Sequence, residues 1–268
     1  MRFVAPNRAE LSRETLARPP LSLWPEHADW LASAQFPAVE ELNAGWDSPW
    51  RFVAQTPALL ADGLHYESRI HARREIATRE DNWHDFFNAL VWRRYPALKQ
   101  ALNARQVAEI ARMGDRQRSR AQCALTHFDE GGIIVVLRDP ALLPLWDAHD
   151  WHGLFWRSRQ AWIDRSIDAH VFGHALLEMA LVPGKLITGK ALAVVDPSGA
   201  GSAAAATAVA MAIATGQALN DPQELRALPI SGVPGWHAST ADEAFYREGE
   251  CFQPLRAGRV YPAALRLG

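Results

Sequence analysis

Residues 78–92, TREDNWHDFFNALVW, open with helix-start signals and continue in a helical period. Thr78 with Asp81 three residues on is a capping-box pattern, and Asp81 or Asn82 equally suits a later start. At about 100° per residue, Trp83, Phe86, Phe87 and Leu90 share one side with Val91 at its margin. His84, Asp85 and Asn88 fall on the opposite side, next to Trp92. A solvated helix face favours Glu, Lys and Gln, which form helices better than His, Asp or Asn. The three polar residues therefore mark either a site or a buried polar network.

Working outward, Leu64–Ile70 (LHYESRI) alternates like a half-exposed strand, and with Glu75–Arg79 it predicts a β-hairpin leading into the helix. Pro96 starts a second helix over Ala97–Met113, with Leu98, Leu102, Val107 and Ile110 as its buried stripe. Cys123–Phe128 and Ile133–Leu137, joined by Asp129-Glu130-Gly131-Gly132, read as a second hairpin. Asp139-Pro140 opens another helix. A long helix is expected over roughly 160–181, then a strand at Ala191–Val195 and an Ala-rich helix at Ser202–Thr215. Residues 1–62 read as an N-terminal arm clamped by Trp24, Trp30, Trp46 and Trp50. Pro and Gly dominate residues 220–268, which read as a wrapping tail. The expected architecture is α+β: one helix-dominated domain over 1–268 with short antiparallel β-hairpins and one continuous core.

The chain has 268 residues, 49% of them hydrophobic and 22% charged, with a net charge of −2. That describes an ordinary soluble protein with no global field drawing it to nucleic acid or an anionic membrane. Cys123 and Cys251 lie far apart, which argues against a disulfide framework or a cysteine zinc site and for a reducing compartment. No signal peptide is evident, and the apolar run 203–214 is too short to span a bilayer. These features point to a cytoplasmic protein.

Chemistry has three places to reside. On the central helix, His84 and Asn88 are one turn apart with Asp85 beside them, suiting a general base with its orienter or two metal ligands. The competing reading is a structural face in which Arg69 or Arg79 pairs with Asp85 or Glu80. In 168–181 (DAHVFGHALLEMAL), His170, His174 and Glu178 fall at helical spacing. His170 and Glu178 would stand about 12 Å apart along the axis, too far to share an ion, so His174 with Glu178 is the usable pair. Gly173 would let this helix approach the His84 face closely. The third place is His127, at the predicted strand end beside the turn acids Asp129 and Glu130.

Two phosphate motifs fail. Gly184–Lys190 fits GxxxxGK, but Ala191 follows where a hydroxyl is needed, and a strand follows where a helix is needed. Asp196–Ser202 has one GxG without the third glycine or the spaced acid, so no nucleotide cofactor is expected. His149 and His152 read as a solvated loop.

The segments YESRI, TREDNWHDFFNALVW, LTHFDEGG, VFGHALLE and LPISGVPGW, in this order, resemble an uncharacterised bacterial family classed as a domain of unknown function. The resemblance spans about residues 20–256 and implies a single bacterial domain without a catalytic assignment.

The leading expectation is a hydrolase-like or small-ligand-binding protein with His84, Asp85, Asn88 and Glu178 in its site. If a divalent metal is held, His84, His127 and His174 with Asp85 or Glu178 are its ligands, and one remaining carboxylate is the base for water. One alternative is a non-catalytic interaction protein in which Arg69, Arg79, Asp85 and Glu178 form a buried charge network. Another is metal-free anion binding by Arg69 and Arg79 beside Glu80.

Overall fold

The computed structural model describes residues 3–114 and 117–267; Met1, Arg2, Asp115, Arg116 and Gly268 lie outside the described residues. After an arm of short helical turns, strand β1 (Arg51–Ala54) leads into helix α1 (Tyr66–Arg73) and strand β2 (Glu75–Thr78). Strands β1 and β2 pair in parallel, Arg51 opposite Glu75. The hairpin expected over 64–79 is therefore corrected. His65 caps α1, its Nδ1 accepting from the Glu67 N–H at 3.3 Å, and Arg74 ends it at φ 58°. Tyr66, Ser68 and Ile70 alternate in sequence, but Tyr66, Arg69 and Ile70 also share a helical stripe, and burial of Arg69 and Ile70 decided between the two periods.

Helix α2 (Trp83–Arg94) is the helix anticipated from residues 78–92. Asn82 caps it, its side chain accepting from the Asp85 N–H at 3.0 Å. Helix α3 (Pro96–Met113) follows at once, with Pro at its first position. Helix α4 (Arg120–Gly131) stands where a strand was expected. Its start was written in Ser119 and Gln122, whose side chains each accept the other's backbone N–H. Its buried Ala121, Leu125 and Phe128 recur at helical intervals.

The main sheet begins directly after α4. Strand β3 (Gly132–Leu137) pairs antiparallel with β4 (Ile167–Val171) and parallel with β5 (Thr188–Val195). Residues 160–181 are thus a strand and a short helix, α5 (His174–Met179), rather than one long helix. In β4 the buried Ile167, Ala169 and Val171 alternate with half-buried Asp168 and His170, the period of a strand with one face on the core. Helix α6 (Ser202–Ala214) follows β5. The far edge of β5 takes β6 (Arg226–Pro229) antiparallel along its first half and β7 (Leu265–Arg266) parallel at its end. The C-terminal segment therefore completes the sheet as well as wrapping it. His149 and His152, expected in solvent, fasten this segment: His149 contacts the Gln253 carbonyl and Tyr261, and His152 contacts Glu243.

The molecule is α+β with helices in the majority. Its apolar interior is divided, where a single core was expected. The main cluster holds Phe86, Phe87 and Leu90 with the sheet, and a smaller one gathers Phe52, Ile70, Ile76, Ala89 and Trp92. Helix α2 contributes to both, and His84 and Asn88 lie at the seam between them. Among the described residues, no helix is long and apolar enough to cross a membrane.

Candidate functional site

The seam opens into a cavity of about 350 Å³ bounded by α1, α2, α3 and α4, with His174 of α5 at its inner end. Glycine sets that inner end. The Phe172 and Gly173 N–H groups both donate to the Gly132 carbonyl, at 2.9 and 2.8 Å. A Cβ on Gly173 would strike the backbone of Gly132 and Glu130. Only glycine lets the β4–α5 corner close onto the α4–β3 corner, and that closure sets His174 beside Glu130.

Across from it, α2 presents His84. The two imidazoles meet edge to face, with Nε2 to Nε2 at 3.0 Å. Glu130 Oε2 lies 3.4 Å from His174 Nε2 and 3.8 Å from His84 Nε2. The other His84 nitrogen, Nδ1, faces Glu178 Oε2 at 3.2 Å. An ionised carboxylate only accepts, so Nδ1 carries the proton and Nε2 turns a lone pair toward His174 and Glu130. That Glu178 contact raises the His84 pKa, and burial raises Glu130. His174 is 3% exposed, and burial lowers it to about 3, so its ring is neutral at pH 7. Its Nδ1 is buried without a hydrogen-bond partner.

A second group lines the same cavity. Lys99, buried on α3, donates to Asp129 Oδ1 at 2.6 Å and Asn88 Oδ1 at 2.8 Å. The lysine fixes the orientation of the Asn88 amide, whose Nδ2 donates to the Tyr66 hydroxyl at 2.9 Å. Burial pushes Asp129 up, but Lys99 and the nearby histidines outweigh it and hold the carboxyl below its ordinary value. Burial holds the Tyr66 hydroxyl well above its ordinary pKa, so it keeps its proton.

Of the residues anticipated from sequence, His84, His174 and Glu178 come together, and Asn88 sits one turn along α2. His127 does not join them: it is exposed on α4. Asp85 is buried and faces Arg79, taking its backbone N–H at 2.7 Å and its guanidinium at 2.7 and 3.0 Å. Arg69, 1% exposed, is consumed by Asp62, Glu75 and the Leu59 carbonyl, apart from the histidines. The four groups expected in one network thus divide among separate pairings, and Glu80 is exposed. Sequence reasoning passed over Glu130, Lys99, Tyr66 and Glu67. Glu130 and Asp129 read in the sequence as turn residues, whereas they occupy the last turn of α4, where the helix dipole disfavours acids. The Asp196–Ser202 loop has its donors occupied: Asp196 accepts from the N–H groups of Gly201 at 2.8 Å and Ala200 at 3.2 Å.

No curated protein and no solved structure matches the chain. A family model described as "Protein of unknown function (DUF3025)" matches residues 50–256, from β1 through the helices of the cavity to the segment after β6, and the chain belongs to that family.

Proposed function

We propose that this protein is a metal-dependent hydrolase whose divalent cation is held by His84 Nε2, His174 Nε2 and Glu130. The observation that carries this reading is a triangle of ligand atoms with sides of 3.0, 3.4 and 3.8 Å. A point about 2.0 Å from all three atoms lies within that triangle, and zinc takes imidazole nitrogen and carboxylate oxygen at about 2.0–2.2 Å. Two histidines and one glutamate are a donor set used at catalytic zinc, with a further position left for water or substrate. Glu178 supplies the outer carboxylate that sets the tautomer of a ligating histidine. A wider groove of about 850 Å³ beside Trp24, Tyr95 and Trp236 holds no such centre among the described residues, and its Asp168 pairs with Arg165 and His170.

A cation there would polarise a carbonyl and lower the pKa of a water. The chain supplies the rest. Asp129, kept ionised by Lys99, accepts the proton of the attacking water. Tyr66, protonated and aimed by Asn88, donates to the oxygen on which charge develops. This assignment replaces the expectation that His127 or Asp85 is a ligand.

The test is metal content by mass spectrometry of untagged protein purified without added metal, beside His174→Ala, Glu130→Gln and Glu178→Gln. Near-stoichiometric metal in the wild type, lost in the first two and bound roughly 10- to 100-fold more weakly in the third, is expected. Full metal retention in His174→Ala would reject the centre. A second reading rests on the 3.0 Å contact between the imidazoles: without metal, His174 Nε2–H donates to His84, making an acid–base relay ending at Glu178. Metal-free wild type with activity lost in His84→Gln would favour it.

A further inference from the structure

Glu67 stands beside Tyr66 at the start of α1 and lines the cavity. Asn103 holds it in place, donating from one amide to Glu67 Oε2 at 2.6 Å and to its backbone carbonyl at 2.9 Å. Among the described residues no cation pairs with this carboxylate. Lys99, which lines the same cavity, is committed to Asp129 and Asn88. Of the other basic groups described in the lining, Arg79 closes on Asp85 and His84 on Glu178 and Glu130, while His65 and Arg118 are exposed. A carboxylate fixed in a sheltered chamber without a counter-charge is costly to folding unless something supplies the positive partner.

We propose that Glu67 binds a protonated amino group of the substrate, so that the site takes a carbonyl compound carrying an amine some distance from the bond that is cleaved. This rests on the metal-hydrolase reading for the reacting end, while the amine end stands on Glu67 alone. The spacing follows from α2. His84 and Asn88 are four residues apart, about 6 Å along the axis, and Asn88 touches Tyr66, the neighbour of Glu67. An amine on Glu67 therefore sits several bonds from a carbonyl at the His84–His174 end. Tyr66 completes the contact surface: its oxygen accepts from Asn88, and among the described residues nothing takes its proton, which is free for the ligand. The rest of the lining favours the same chemistry. Gln55 and Thr126 line the same cavity and offer an amide and a hydroxyl to the polar body of such a molecule.

The experiment is calorimetric titration of wild type, Glu67→Gln and His174→Ala with straight-chain ω-aminoalkanamides of two to five methylenes. Alkanamides of matched length serve as the uncharged probes and n-butylamine as the amine-only probe. Glu67→Gln keeps the acceptor for Asn103 and removes only the charge. In the wild type, at least one aminoalkanamide is expected to bind tenfold or more tightly than its uncharged match, a preference absent in Glu67→Gln. Butylamine should bind wild type and His174→Ala alike. No amine preference in the wild type, or one that survives in Glu67→Gln, overturns the proposal. Metal absent from the wild type while the preference depends on Glu67 would reject the metal centre and leave the amine site standing.

Discussion

Burial raises the Glu67 carboxyl to about 6, with Asp129 adding to the shift and Asn103 and Lys99 opposing it. An unfolded chain titrates the same group near 4.5. Between those values the native state binds more protons than the unfolded one, so this group's contribution to stability falls as pH rises through the window. The shift corresponds to about 2 kcal/mol at neutral pH. Glu67→Gln should therefore be more stable than wild type at pH 7.5 by about that amount, and the gap should shrink toward pH 4. Urea unfolding of both proteins across that range checks it, and a destabilised Glu67→Gln at pH 7.5 would show the charge to be structural. The same reasoning sets the histidines apart. His84 and His174 face each other, yet Glu178 raises one and burial lowers the other to about 3. The chain thus offers one basic and one neutral imidazole at a single point. Neither state is visible in the segment HisAspPhe or GlyHisAla, because one depends on a carboxylate 94 residues away and the other on burial by the fold.

At the scale of elements, the site depends on one close approach. The β4–α5 corner packs on the α4–β3 corner only because residue 173 has no Cβ, and both His174 and Glu130 are adjacent to that contact. Gly173→Ala should cost about 1–3 kcal/mol through overpacking against backbone that cannot turn aside. It should also weaken metal binding by separating His174 from Glu130. Gly131→Ala is the control, since a Cβ there meets only Lys190 Cγ at an ordinary 3.8 Å. Denaturation midpoints and a metal titration on the two variants make the comparison, and equal behaviour would mean that the corner is not what sets the site. The importance of Gly173 for close approach was legible in the sequence, but the surface it approaches was not. It was expected to admit the His84 face, and it admits the backbone at 130–132.

At the scale of the whole molecule, the C-terminal segment is bound back through Arg226, which is 2% exposed. Its guanidinium reaches Asp147 at 2.7 and 3.3 Å and the Pro262 carbonyl at 2.6 Å, joining β6, the helix before residue 148 and the approach to β7. Arg226→Ala removes a buried side chain together with its pairing to the part-exposed Asp147 and should cost about 2 kcal/mol. Arg226→Met, which keeps the volume, should cost less. Urea midpoints separate the two, and a loss under about 1 kcal/mol in Arg226→Ala would mean that the pair is exposed in solution.

What the sequence determined by itself was the helix after residue 82 with its apolar stripe and its polar edge at His84 and Asn88, while the structure chose Asn82 over Thr78 and Asp81 as its cap. It likewise determined the helices at 96–113 and 202–214. These segments are long enough for periodicity, caps and proline to agree. Tertiary structure decided the segments 66–73 and 167–171, and at 120–131 the Ser119–Gln122 cap was the local sign of a helix. Runs this short carry apolar residues compatible with both periods, and burial against distant neighbours chose between them. The same holds for the site. His84 and His174 were legible as residues placed against local preference. Glu130 and Glu67 look like ordinary acids until the fold encloses them, because burial and partners, which give a carboxylate its chemistry, are made by contacts far along the chain.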